Sequence, residues 1–466
     1  MAEYYDELFK LCGFEDGEID RERVRIEKVL HKLEISPQDV KSAESWVREN
    51  HDVELMGVRK VLGVWLSELV DLVLAKDEGK RIVYFGFPSM GGLGNAITAA
   101  SENVYCGCPD VVLCHTMGQI FNKLGPILEA GEQNGLPPGH ALCTLQTIRV
   151  GALALGIVPE PDMVLTSSYY CDMGSKTDEL LHERYGHPAI YVDGSMDSRW
   201  GEFPDFLAER VEFTGGELNK LVAEIKEILG VEITQEAWDK GQSVFGEYFG
   251  AVGKLVELMR ADPQPISLVE MELARFLATG CTGRAITEAP RAIALLNEEV
   301  AKRVEQGIGV VEKGAPRIGL FIANFSDPRI AHMVENAGLA IGGTLLTAPF
   351  KIEPWQSVYT SLGEKKAEVE MKIGIYHGTY AVAKRWAEMV EVLKLDGSIC
   401  GYHYNCRPLA QPSHLLPKFV QETTGVPVLS LEMDYYDCRN YSAEALRTRV
   451  ETFAEMLRVR KASAKV

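Results

Sequence analysis

Ser168-Tyr169-Tyr170-Cys171-Asp172 is followed, one helix-length interval later, by His187-Pro188-Ala189-Ile190-Tyr191-Val192-Asp193. A β-prone run ends in a cysteine, a helix fits the gap, and a second apolar run begins. The same order returns as His403-Tyr404-Asn405-Cys406-Arg407 and then Val426-Pro427-Val428-Leu429-Ser430-Leu431-Glu432-Met433-Asp434. Each copy reads as strand, helix, strand, with the cysteine just past the carboxyl end of a strand. Ligands bind at that edge in open α/β sheets. Two such units facing each other would bring their cysteines to one cleft.

Outward from these copies the alternation continues. In the first half, Ile82-Val83-Tyr84-Phe85-Gly86, Val111-Val112-Leu113, Met163-Val164-Leu165 and Ala189-Ile190-Tyr191-Val192 read as strands. In the second half, Ile318-Gly319-Leu320-Phe321-Ile322, Leu345-Leu346, Ile399-Cys400-Gly401-Tyr402 and Val428-Leu429-Ser430-Leu431 do the same. Short buried runs alternating with helices predict an α/β fold: two similar domains with parallel sheets flanked by helices. Three-to-four apolar spacing predicts a helical N-terminal region over 1–78. The first α/β domain is expected over 79–215 and a mostly helical connecting segment over 216–312, broken at Asp262-Pro263 and Gly280-Cys281-Thr282-Gly283. The second α/β domain is expected over 313–466, closing with a helix from about Ser442 to Arg458. A chain of 466 residues exceeds the roughly 250–300 that one core supports, so several domains are expected.

The net charge of −19, from 48 basic and 67 acidic residues, argues against general nucleic-acid affinity, which needs a basic surface. No apolar run reaches the roughly 18–20 residues of a membrane span. The acidic start, Met1-Ala2-Glu3-Tyr4-Tyr5-Asp6, has no signal-peptide pattern, so a cytoplasmic location is expected. Structural disulfides are rare there, and the ten cysteines are expected to be thiols, metal ligands or both. No run such as C-x2-C-x2-C is present, and no CxxC pairs with a second CxxC or with HxxxH for zinc. By spacing alone, each cysteine reads as a small buried hydrophobe ahead of a metal ligand.

Cys406-Arg407-Pro408, Gly425 through Asp434, Asp437-Cys438-Arg439-Asn440-Tyr441-Ser442 and Leu446-Arg447-Thr448-Arg449-Val450-Glu451 closely resemble the C-terminal signature of the 2-hydroxyacyl-CoA dehydratase / benzoyl-CoA reductase superfamily. Upstream, Leu136-Pro137, His140-Ala141-Leu142-Cys143 and Arg149-Val150-Gly151 resemble its first-cysteine region, and Asp162-Met163-Val164 through Cys171-Asp172 its second. The resemblance covers roughly residues 80–460. It implies an iron–sulfur subunit in which Cys143, Cys171 and Cys406 hold one [4Fe–4S] cluster whose fourth iron lacks a cysteine ligand. It implies dehydration of 2-hydroxyacyl-CoA through ketyl radicals, or reduction of the benzoyl-CoA ring. It further implies a homodimeric ATPase activator carrying its own cluster, and pairing with a similar subunit as a homo- or heterodimer. A related branch binds a double-cubane [8Fe–9S] cluster and reduces small molecules. A non-catalytic electron-transfer protein is a further alternative.

Some residues depart from the family pattern. Cys438 stands where the family often has proline, and Cys106, Cys108 and Cys114 crowd one loop, with Cys106 and Cys108 before the strand Val111-Val112-Leu113. These three are expected to add ligands only if the cluster is enlarged. Cys400, six residues before Cys406 in a strand, is about 20 Å away along an extended chain and is a poor ligand for the same cube. Met90-Gly91-Gly92-Leu93-Gly94 is neither GxGxxG nor a P-loop, and reads as a tight turn with close packing. His140 and His403 lie three residues before Cys143 and Cys406, where a second-shell hydrogen bond is one reading and an ordinary histidine the other. Tyr169, Tyr170, Tyr402 and Tyr404 flank the cysteines. Asp434, Asp437 and Arg439 read as a charge network anchoring the C-terminal helix.

Overall fold

The computed structural model describes residues 3–87, 90–139, 142–168, 171–195, 198–321, 326–344, 347, 356–372, 378–402, 406, 410, 413–437, 439 and 441–463. Four helices open the chain: Asp6–Leu11, Asp16–Lys32, Pro37–Asn50 and Met56–Leu74. The third starts at a reciprocal cap, in which Ser36 Oγ accepts from the Asp39 amide and Asp39 accepts from the Ser36 amide. The fourth is buried almost all round. It crosses the helix Arg284–Gln306 at Gly57, where a β-carbon would overlap Leu296.

Two four-stranded parallel sheets follow, built alike. The first has strands β1 (Arg81–Phe85), β2 (Val104–Gly107), β3 (Met163–Ser167) and β4 (Ala189–Val192) in the order β2-β1-β3-β4. The second has β5 (Arg317–Phe321), β6 (Ala340–Thr344), β7 (Gly397–Tyr402) and β8 (Val428–Glu432) in the order β6-β5-β7-β8. This is one topology used twice. In each, the chain crosses to opposite sides of the first strand, which opens a crevice at the carboxyl ends of the central pair. Helices Ala208–Leu229, Gln235–Leu258, Leu268–Gly280 and Arg284–Gln306 connect the two sheets. The two-sheet α/β architecture and the helical opening agree with expectation.

Expectations for single elements need correction or limits. Val111-Val112-Leu113 is not a strand. It lies in the helix Pro109–Leu113, which continues as a π-helix over Cys114–Ile120. The adjacent strand is Val104–Gly107, where a loop was expected. Pro109 pre-sets the first helical turn, and a three-residue apolar run fully buried on every side carries no period that separates helix from strand. The helices between the sheets begin at Ala208, and the last helix runs over Ala443–Ser463, five residues past the expected Arg458. Leu345 and Leu346 lie outside the described residues. At Met90–Gly94 the expected tight turn is instead the start of the helix Gly91–Ala100, while the expected close packing holds: a β-carbon at Gly91 would sit 2.6 Å from the Ala278 carbonyl oxygen, and one at Gly94 2.7 Å from the Phe85 ring. Among the described residues no helix is long and apolar enough to cross a membrane.

The N-terminal helices, the connecting helices and the second sheet unit meet at a buried polar junction. His332 Nε2 lies 2.9 Å from the Asn50 carbonyl, and Nδ1 lies 3.4 Å from Glu335. Glu335 also accepts from Gln264, Ser267 and the Leu268 amide, and Glu270 accepts from the Asp52 amide. Burial opposes protonation of His332, but Glu335, the Asn50 carbonyl and Glu270 outweigh it and push its pKa up. A histidine raised in the folded state contributes stability that is complete below its unfolded value of 6.5 and is lost as pH climbs through the folded value. His332→Gln is therefore expected to narrow its stability deficit against wild type as pH rises above about 6.5, read from urea midpoints across the pH range. A deficit independent of pH would contradict this.

Candidate metal centre

The structure puts Cys171 and Cys406 at equivalent positions of the two sheet units. Cys171 follows β3 and Cys406 follows β7, the inner strands at each crevice. Cys143 arrives differently, as the residue that opens the helix Thr144–Ala154 running into β3. Cys143 and Cys171 are both buried, and Cys406 is partly exposed.

Cys143 and Cys171 are electrostatic neighbours. Burial pushes the Cys143 thiol up to about 12, and a Cys171 thiolate and the Asp434 carboxylate push the same way. The backbone amides of Gln146 and Leu145, donated from the helix start, pull against them. A bound metal supplies the charge that makes thiolate the stable form of a cysteine raised in this way. Cys406 lies across the seam near Tyr435, a buried phenol pushed well up by burial and by thiolates at Cys400 and Cys406. Tyr435 is the next residue after Asp434.

Asp434 ties the seam together. Its Oδ2 accepts from Thr144 Oγ1 at 2.5 Å, directly beside Cys143, and its Oδ1 accepts from the amides of Tyr436 and Asp437. Arg439 bridges Asp437 and Glu132 of the first unit, at 2.9 and 2.6 Å. Gly118, in the π-helix, lies so close to the Ser326 carbonyl that a β-carbon would stand 2.7 Å from it. The group read as an anchor for the C-terminal helix thus joins the second unit to the first. Thr144 and Glu132 were missed by sequence reasoning; only Thr144's place beside Cys143 signalled its role.

In donor chemistry the three cysteines fit a thiolate-held cluster, with two neighbouring cysteines on the first unit and the third on the second. Among the described residues no three His, Cys, Asp or Glu side chains form a ready metal-binding group. The surplus cysteines sit in cores, as do Cys143, in the main core, and Cys406, which packs against a third cluster. Cys106 packs with Val83, Phe85 and Leu165, Cys108, Cys114, Cys12 and Cys281 lie in the main core, and Cys400 in that third cluster with Phe321 and Trp386. The Tyr402 hydroxyl donates to Glu432 at 3.1 Å. His140, His403, Tyr169, Tyr170, Tyr404 and Cys438 lie outside the described residues.

Residues 110–457 match the family model described as 2-hydroxyglutaryl-CoA dehydratase, D-component. The chain is 20% identical over 323 residues to the (R)-phenyllactyl-CoA dehydratase alpha subunit of Clostridium sporogenes, covering 69% of this chain and 77% of that protein. It is 19% identical over 307 residues to the (R)-2-hydroxyisocaproyl-CoA dehydratase alpha subunit of Clostridioides difficile, covering 65% and 73%. It is 21% identical over 322 residues to lactoyl-CoA dehydratase subunit alpha of Anaerotignum propionicum, covering 66% and 72%.

Proposed function

The chain belongs to the 2-hydroxyglutaryl-CoA dehydratase D-component family, and from that premise we propose that it is the iron–sulfur catalytic subunit of an ATP-driven radical enzyme acting on CoA thioesters. The three relatives above are named as dehydratase subunits, which supports dehydration of a 2-hydroxyacyl-CoA ahead of benzoyl-CoA-type reduction. The observation that carries the reading is that Cys143, at a helix start, and Cys171 are electrostatic neighbours, with Asp434 of the second unit bonded to Thr144 beside Cys143. Cys143, Cys171 and Cys406 would hold a [4Fe–4S] cluster, which when bound supplies single low-potential electrons.

The chain's own residues have definable tasks. The helix start at Leu145 and Gln146 offsets part of the charge on the Cys143 sulfur. Tyr435 walls the Cys406 side against water, as a fully desolvated phenol does. The Asp434–Thr144 bond holds the two units in register at the site. A reducing cytoplasmic setting suits thiolate ligands. A second, similar subunit and a separate cluster-bearing ATPase complete the proposed enzyme.

The test is dehydration of a 2-hydroxyacyl-CoA by anaerobically reconstituted protein. Turnover is expected only with the ATPase activator, ATP and a strong reductant all present. Turnover with a mild reductant and no ATPase would contradict the proposal.

A further inference from the structure

Beneath the paired cysteines lies an ion network with almost no exposure. Arg149 is 1% exposed and Asp110 and Asp178 are 0%. Arg149 Nη1 lies 2.7 Å from Asp178 Oδ1, and Nε lies 3.6 Å from Asp110 Oδ1. Nη2 donates to Gln146 Oε1 at 2.7 Å. Gly86, at the end of β1, makes room for it: a β-carbon there would stand 2.6 Å from Asp178 Oδ2 and 2.8 Å from Thr166 Oγ1.

Fully buried ion networks are poor sources of stability, since apolar replacements of similar volume often serve the fold as well or better. What this one does have is position. Arg149 is on the helix that Cys143 opens, six residues on, and Gln146 stands halfway between them. Asp178 is on the helix Met173–Tyr185, which begins two residues after Cys171. Asp110 is on the helix Pro109–Leu113. One guanidinium therefore reaches from the helix of the first cysteine to the helix of the second, by the 2.7 Å approach of Nη1 to Asp178 Oδ1. Its charge is also felt at Cys143.

We propose that Arg149, Asp178 and Asp110 form a positioning network that sets the Cys143–Cys171 thiol pair in place before any metal arrives, so that the first unit is a preformed half-site which Cys406 completes. This rests on the reading of those cysteines as ligands. Asp178→Asn breaks the shorter bridge and leaves Arg149 and Asp110 as a neutral pair.

The probe is Cd2+ alone, titrated into the reduced, metal-free full chain and read by the thiolate-to-metal charge-transfer band. Wild type is expected to develop the band and Cys143→Ala to lose it. Asp178→Asn is expected to bind Cd2+ about 10- to 100-fold more weakly, the usual cost of removing a group that orients a ligand. Val300→Ala, a cavity in the buried connecting helix, supplies a comparable loss of melting temperature and is expected to leave Cd2+ affinity unchanged. If Asp178→Asn fails to fold, Arg149→Lys keeps the charge without the fork and is expected to weaken binding several-fold. Wild-type affinity in either folded variant, or equal weakening in Val300→Ala, would overturn the positioning role. Absence of the band in wild type would instead overturn the ligand reading and the network's role with it.

Discussion

Cys406→Ala is expected to lose most of its iron while keeping its fold. The other two proposed ligands stay in place on the first unit, and Cys406 is only partly buried, so the cavity cost is expected to be no more than about 1 kcal/mol. A cube held by two thiolates has lost a third of its protein ligation, and the sulfur lost is the one that spans the seam. Cys143→Ala and Cys171→Ala are expected to lose iron to the same extent, with a somewhat larger fall in melting temperature because both are buried. The controls are Cys106→Ser and Cys400→Ser. Both side chains lie in apolar clusters, so they are expected to lower stability and leave the iron count per folded chain unchanged. Iron assays with melting curves on the five variants check this. Loss of iron from Cys106→Ser in folded protein would point to an enlarged cluster.

Gly151→Val is expected to be the most damaging single substitution near the site. The helix Thr144–Ala154 crosses the helix Gly125–Gln133 at two glycines. A β-carbon at Gly151 would overlap the Ile127 carbonyl oxygen, and one at Gly131 would overlap the Thr147 carbonyl. The obstacle is backbone, which cannot rotate away, so the helices must part. Overpacking of this kind costs about 1–3 kcal/mol or more. Separation would also carry off Cys143, Thr144 and Arg149 together, so iron should fall with stability. Gly216 makes the opposite case: it lies in the helix Ala208–Leu229 with open space around its α-carbon. Gly216→Ala should stabilise by up to about 1 kcal/mol, the helix-propensity gain. Urea midpoints of the two variants check both signs.

Most of the architecture was readable because each strand at β1, β3, β4, β5, β7 and β8 is a short apolar run set between helix-length intervals, and because the cysteine-after-strand pattern occurs twice. Cys171 and Cys406 were placed by that pattern. Cys143 was not: it opens a helix, and only the family resemblance singled it out. The region 104–120 was misread because burial on all sides erases the period that tells helix from strand. The Arg149 network was illegible for a different reason. Asp110, Arg149 and Asp178 are charged residues that ordinary patterning assigns to the surface, and their pairing exists only once three helices are packed. The role of Asp434 was misassigned similarly, since its partner Thr144 lies 290 residues away in the chain.

The central claim is that this chain carries an iron–sulfur cluster on Cys143, Cys171 and Cys406. The most direct measurement is iron and acid-labile sulfide per chain on anaerobically purified protein, wild type beside the three alanine variants. About four irons and four sulfides in wild type, one [4Fe–4S] cube, with most of the iron gone from each variant, is the predicted result. No iron in wild type, or full iron in all three variants, would contradict it.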